Sequence, residues 1–559
     1  MLHVIEHSND PAIRQLRQNY TSPSEATAVI DPVIRITLKN CPFVVIDVTT
    51  GHLCDGPERT RIFKADSSFR ELISCMTRGA NQEHIHHVVT GFFSYVMFSH
   101  VWQGNEPSLQ EVNSVKSVWN LPNTDSCEKL RNFCKETGRL GYRWAWSDTC
   151  CIDKTTDRIL SESLTSMYKW YMDSAATLVF LAGVPHPSKP KDLPRSKWMT
   201  RAWTLQEFLA PKVILFYDSE WKPYLGNTGT NHKECPEIMQ ELADAIKISC
   251  GNIVTFSPRG LRVREKLRLA STRNATVEED VAYSLIGIFE SDIKPHYGER
   301  GNALGHLLEE IVTRSGDDTV LAWSGKSSSY HSCLPASISV YNQTPYSPPL
   351  LEGEAMKTCI TELLDDDKLL EEEALNIYKQ IKSLPAARFA ARRLYLPCIV
   401  FPVRGFIPRV NGKQDGKRYR AKVSGLKGVD VTTMDNIILD KQRRFVLVHP
   451  WIRYVRGRHN GVNGEFHSGS DTDTDSGVDV SARWHPVAPP RAAPPPLVGR
   501  YARALEMIAR LAQPFHALLL VQQPGGEYKR VAADNDILVP GLRTDIDPRD
   551  IRARVLEIL

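Results

Sequence analysis

The sequence predicts an α/β fold: a largely parallel sheet flanked by helices, then a helical extension and a separate β-rich C-terminal part. Three observations carry this. From about residue 95 to 224, short apolar runs of strand character alternate with amphipathic helical stretches. From about 235 to 323, helical periodicity dominates. From 392 onward, β-branched and aromatic runs return between Gly and Pro. The boundaries drawn from these shifts are 1–44 (N-terminal segment), 45–225 (α/β domain), 226–330 (helical extension) and 331–391 (linker with an acidic helix). The β-rich domain then comes in two parts, 392–456 and 500–559, split by a disordered linker at 457–499.

Taken in order, residues 1–30 are polar and are expected to be loosely ordered, and 33–38 and 43–48 read as strands. In the α/β domain the expected strands are 95–99, 143–147, 177–181 and 212–217. Leu130, Phe133 and Cys134 share one face of the helix before the second. Leu160, Leu164, Met167, Tyr168, Tyr171 and Ala175 form the stripe of the helix before the third. A Pro-rich loop holding Pro185, Pro187, Pro190 and Pro194 leads to a short helix at about 201–209, which Pro211 ends. In the extension, Thr276 and Glu279 have capping-box spacing. Gly316 is placed to end the helix carrying Leu304, Leu308 and Ile311. The acidic stretch 362–383 reads as a solvated helix face. Strands are expected at 394–402, 419–423 and 445–449, a helix at 503–512, and a hairpin of 517–522 with 528–532 around Pro524-Gly525-Gly526. The 457–499 linker is Gly/Ser/Asp-rich and then Pro-rich.

Composition narrows the function. Lys+Arg number 69 and Asp+Glu 65 in 559 residues, a net +4, without the clustered excess of a nucleic-acid binder. No apolar run reaches the roughly 18 residues of a membrane helix, and the N-terminus has no secretion pattern. The 12 cysteines include no Cys-x-x-Cys pair and are expected to be reduced thiols. A cytoplasmic protein is the expectation.

Several chemical-looking motifs fail on inspection. Gly325-Lys326-Ser327 lacks the first glycine of a phosphate loop, since position 320 is Val320. The tract Asp471-Thr-Asp473-Thr-Asp475 lacks the turn glycine and terminal glutamate of a calcium loop. His84, His86 and His87 have no assignable co-ligand, so no metal is expected. Ser99 and His100 are neighbours on a strand and point to opposite faces, which suits no nucleophile–base pair.

The constellation that remains lies beyond the carboxyl ends of the strands, where open parallel sheets bind ligands. One strand exits through Ser99, His100 and Trp102, the next through Asp148. The short helix carries Trp203 and Glu207, one turn apart. A tryptophan beside a carboxylate suits a nucleotide: the ring stacks, and the carboxylate binds ribose and stabilises positive charge as a glycosidic bond breaks. From spacing alone, the alternative of a core tryptophan and a glutamate paired with Arg201 stands beside it.

Three blocks resemble a known family. Tyr95-Val-Met-Phe-Ser-His-Val-Trp102, Trp146-Ser-Asp-Thr-Cys-Cys-Ile-Asp153 and Arg201-Ala-Trp-Thr-Leu-Gln-Glu207 are similar to the blocks of the fungal heterokaryon-incompatibility (HET) domain. The run from Arg268 to Phe289, with Tyr297-Gly298-Glu299, resembles the segment that follows it in vegetative-incompatibility proteins. That family is a distant relative of the Toll/interleukin-1 receptor (TIR) domain, so the resemblance implies a TIR-like, flavodoxin-like sheet. Trp203-x-x-x-Glu207 is similar to the TIR motif whose glutamate cleaves NAD. The resemblance thus implies Glu207 as the catalytic residue of an NAD+ glycohydrolase in programmed cell death. Ser99, His100, Trp102, Asp148 and Trp203 would line the dinucleotide site, and NAD would be a substrate rather than a cofactor. The product would be ADP-ribose or a cyclic form. It also implies a homo-oligomer when active and protein partners for the C-terminal β domain, with no nucleic acid and no membrane. The rival is a non-catalytic signalling and self-association module, with Trp203 and Glu207 structural.

Overall fold

The apolar runs of the first half become six strands: β1 (Val45–Asp47), β2 (Leu53–Cys54), β3 (Tyr95–His100), β4 (Trp144–Trp146), β5 (Ala176–Phe180) and β6 (Ile214–Tyr217). They form one sheet in the order β2-β1-β4-β3-β5-β6. The run β4-β3-β5-β6 is parallel throughout. β1 joins β4 antiparallel, and β2 joins β1 antiparallel. Every residue of β3 to β6 is buried, as expected of parallel strands covered on both faces. Their continuous apolar composition follows from that burial.

The computed structural model describes residues 11, 15, 21–76, 82–344, 351–365, 371–409, 417–426, 428–434, 437, 443–451, 499–540 and 552–559. The chain divides into two compact units, Met1–Thr344 and Pro345–Leu559. The 457–498 part of the expected linker lies outside the described residues. No helix among them is long and apolar enough to cross a membrane.

In the first unit the chain leaves β3 for β4 on one side and then crosses to β5 on the other. That reversal marks the switch point where a crevice opens at the carboxyl ends of the strands. The connecting helices are Asp125–Arg139, capped by Thr124, and Asp157–Asp173, which buries Leu164, Met167, Tyr168 and Tyr171. Before the sheet, Ala26, Ile30 and Ile34 of the Pro23–Lys39 helix pack with Phe63, Leu72 and Val89. This corrects two expectations. Residues 33–38 are helical rather than extended, and residues 23–30 of the stretch 1–30 belong to the same helix. Ser22 and Glu25 form a complete capping box, and the four-residue spacing of Ala26, Ile30 and Ile34 then buries one helical face.

The expected capping box at Thr276 is also corrected. Glu279 instead accepts from the backbone N–H groups of Gly298 and Arg300, each at 2.8 Å. Two one-turn helices follow, Asp280–Tyr283 and Ile286–Phe289. Gly316 does cap the Asn302–Ser315 helix, at φ 64°.

The second unit holds helices Gly353–Asp365, Glu371–Lys382 and Arg500–Leu511. Its strands are β7 (Arg388–Ala390), β8 (Arg393–Pro408), β9 (Lys417–Val423), β10 (Val429–Thr433), β11 (Phe445–Pro450), β12 (Phe515–Gln522), β13 (Tyr528–Arg530), β14 (Ile537–Val539) and β15 (Arg552–Ile558). β11 pairs with β12, so segments on either side of the long insertion share one sheet. β8, β11, β12, β13 and β15 close a ring, because β15 pairs with both β13 and β8. β9 and β10 extend from the far end of β8, across a register shift between Val403 and Gly405. The unit is therefore β-rich, as the second half of the sequence predicts.

Candidate functional site

β3 brings Ser99 and His100 to its carboxyl end, and β4 brings Asp148 two residues beyond its own. The Thr204–Leu209 helix packs against β3 and the Asp157–Asp173 helix, with all six residues buried. Its start is held by Thr204, whose hydroxyl donates to the Trp198 carbonyl at 2.7 Å. Arg273, from the extension, donates to the Arg201 carbonyl at 3.0 Å and to Thr204 Oγ1 at 2.8 Å. Beside it the backbone runs as a short ladder: Asn274 N–H donates to the Thr200 carbonyl at 2.7 Å, and Ala202 N–H to the Asn274 carbonyl at 2.8 Å.

This anchoring aims Glu207 at the end of β3. Ser99 Oγ donates to Glu207 Oε2 at 2.5 Å, and Trp198 Nε1 donates to Ser99 Oγ at 2.7 Å. Glu207 is 7% exposed and Ser99 0%. Burial pushes the Glu207 carboxyl up to about 8. The Ser99 hydrogen bond opposes the shift, nearby Asp148 adds to it, and Arg201 and Arg273 work against it. Glu207 therefore carries a proton over most of its time at neutral pH. Where the sequence predicts a carboxylate lining a hollow, Glu207 is almost wholly buried, with Ser99 on its Oε2 and Trp198 on Ser99.

A second cluster is more open. Trp102, 47% exposed, donates from Nε1 to Asp148 Oδ2 at 2.9 Å. Lys154 Nζ stands 4.0 Å from the centre of the Trp102 ring. Burial also raises the Asp148 carboxyl, while Lys154 and the Trp102 hydrogen bond pull it down.

His100 belongs to neither cluster by hydrogen bonding. Its ring stacks on Phe98 at 4.2 Å, and both ring nitrogens are buried without a hydrogen-bond partner. Glu106 lies 3.8 Å away but is held by Lys129 at 2.5 Å. Burial, with Lys129 and Lys154 nearby, keeps the imidazole neutral. Trp203 turns elsewhere: its indole engages the Asp280 carboxylate, which also accepts from Tyr297 at 2.8 Å.

The structure thus joins Ser99 to Glu207 and Trp102 to Asp148, sets the two carboxylates within electrostatic reach, and leaves Trp203 on the extension. Trp198, Arg273 and Lys154 were missed. Arg273 sits inside and Lys154 beside the motif blocks read above, whereas Trp198 follows a Pro-rich loop that carries no signal. Buried Gln206 Nε2 and Arg273 Nη2 have no hydrogen-bond partner, so donor capacity remains around the closed carboxyl. Among the described residues no group of three or more His, Cys, Asp or Glu forms a metal site.

Residues 95–190 match the family described as heterokaryon incompatibility protein (HET). That span includes Ser99, His100, Trp102 and Asp148, and stops before Trp203 and Glu207. The vegetative incompatibility protein HET-E-1 of Podospora anserina is 32% identical over 233 residues, which are 40% of this chain and 16% of that relative. The chain therefore spans only a minor part of the length of the relative it matches. No solved structure matches. Residues 95–190, which hold β3, β4, β5 and the first two of the three blocks, are thus similar to the HET family.

Proposed function

We propose that this chain acts in fungal non-self recognition and the cell death that follows it, with the HET domain as its effector part. The match over residues 95–190 and the likeness to a vegetative incompatibility protein support this. In the conformation described here the domain acts as a signalling and self-association module rather than as an open enzyme. One observation carries that choice: Glu207 is 7% exposed and closed off by Ser99 and Trp198. On this reading the residues around Glu207 must move before a dinucleotide can reach its carboxyl.

A second reading, a TIR-like NAD+ glycohydrolase, has its own support. The parallel strands run second-first-third-fourth, the start of the flavodoxin-like order. Ser99, Asp148 and Glu207 converge at its switch point, and strongly shifted carboxyls gather at functional sites. On this reading NAD lies over loop 99–106 and Trp102 stacks on a ring. The ionised form of Glu207 stabilises the oxocarbenium-like charge as nicotinamide leaves with the bonding pair. Water then adds and gives up a proton, leaving ADP-ribose.

NAD consumption by the purified chain, measured across a protein concentration series with and without a crowding agent, separates the two. Zero turnover throughout, with self-association still seen by light scattering, supports the module. Turnover that rises steeply with protein concentration and vanishes in Glu207→Gln supports the enzyme.

A further inference from the structure

The outer face of β8, β9 and β10 is strongly basic. Along β9, Tyr419, Ala421 and Val423 turn into the core, so Arg418, Arg420 and Lys422 point outward and are exposed. Arg404 on β8 and Arg409 just beyond it are exposed beside them. Arg443 and Arg444, also exposed, enter β11, whose Phe445 pairs with Val403. Among the described residues two acids lie nearby. Asp430 lies 3.4 Å from Arg409, and Asp534 borders β10 through its N–H bond to the Thr432 carbonyl.

The face also has an apolar centre. Ile407, 46% exposed, pairs with Arg420, which in turn pairs with Asp430, and Met434 just beyond β10 is 42% exposed. A Cβ at Gly428 would lie 2.5 Å from Arg420 Nε, so this glycine leaves room for the guanidinium beside it. The aromatic residues of these strands, Phe406, Tyr419 and Phe445, are buried.

These features decide between polyanions. A face without exposed rings offers no stacking platform for single-stranded bases. Arginine around an exposed aliphatic centre is the composition of a protein-binding surface. Outward side chains on one strand recur about every 6.6–6.8 Å, matching carboxylates on alternate residues of another extended chain. Arginine forks also suit carboxylates.

We propose that this face binds an extended acidic segment of a partner protein, one apolar side chain resting on Ile407. The proposal is independent of how the HET domain acts. The test uses the full chain and fluorescence anisotropy, with a labelled twelve-residue peptide of alternating Asp and Ser around one Leu, and with a 20-base-pair DNA duplex.

The peptide is expected to bind, more weakly as salt rises. Arg418→Glu/Arg420→Glu should cost about tenfold or more in affinity, and Ile407→Ser several-fold. Arg503→Glu/Lys529→Glu, which makes the same charge change at two other exposed positions of the unit, should leave binding nearly unchanged. If the first double variant melts early, Arg418→Gln/Arg420→Gln takes its place. Absence of peptide binding, or equal loss in both charge reversals, overturns the proposal. Tighter binding of the duplex through the same residues also overturns it, in favour of a nucleic-acid surface.

Discussion

Glu207, buried, and His449, half-buried, are two ionisable side chains whose protonation works in opposite directions. Glu207 titrates at about 8 in the folded chain, far above an ordinary carboxyl. Between its ordinary range and 8 the folded form holds a proton that the unfolded form releases. Its contribution to stability is therefore complete in acid and is lost as pH rises through 8. Glu207→Gln keeps a neutral partner for Ser99 and removes this loss. The variant is expected to gain on the wild type by on the order of 1 kcal/mol per pH unit between about pH 5 and 8, read from thermal melts. Parallel melting curves across that window would refute the assignment. His449 stacks on Phe515 at 4.0 Å, and burial drives its imidazole down to about 3. Here the unfolded chain takes up the proton, so stability is held above pH 6.5 and is lost as pH falls towards 3. His449→Phe should flatten the acid side of the second unit's melting profile.

At the scale of elements, the Thr204–Leu209 helix is held from outside its own sequence. Arg273 is buried and supplies two of its anchoring bonds, and burial lowers its guanidinium to about 10. Arg273→Met leaves the Arg201 carbonyl and Thr204 hydroxyl short of a donor. It should destabilise the first unit by about 2–4 kcal/mol, and amide exchange in 202–209 should rise more than in β3. Equal exchange in both would show that the arginine is not the anchor. Gly287 is a second such point: a Cβ there would lie 2.0 Å from Tyr168 Cβ. Gly287→Ala must push the Ile286–Phe289 turn off the Asp157–Asp173 helix, at a cost of about 1–3 kcal/mol by thermal melt.

At the scale of the molecule, the two units are joined through one chain but each has its own core. The second owes its ring closure to the last strand, since β15 pairs along β8 from Leu394 to Val400. Truncation before Arg552 opens that ring and exposes two strand edges. Calorimetry of the full and truncated chains should show one transition falling by several degrees, with the transition of the first unit unchanged. If both fall together, the units do not melt separately.

What could be read without coordinates was local. Continuous apolar runs at 95–99, 143–147 and 177–181 gave away buried parallel strands, because burial on both faces leaves no room for alternation. The stripe from Leu164 to Tyr171 gave away its helix, and the first two motif blocks fall within the residues that match the HET family. Residues 33–38 misled because β-branched side chains look extended until a distant partner, here Phe63 and Val89, claims one helical face. β15 escaped notice because its Arg- and Glu-containing sequence becomes a strand only when β8 and β13 lie beside it. The rule that open parallel sheets bind ligands beyond their strand ends put Glu207 near the end of β3. Whether its carboxyl meets solvent was decided by Trp198 and Arg273, 9 and 66 residues away in the chain. Exposure depends on how non-local surfaces close over a group, and no short-range pattern of residues encodes that.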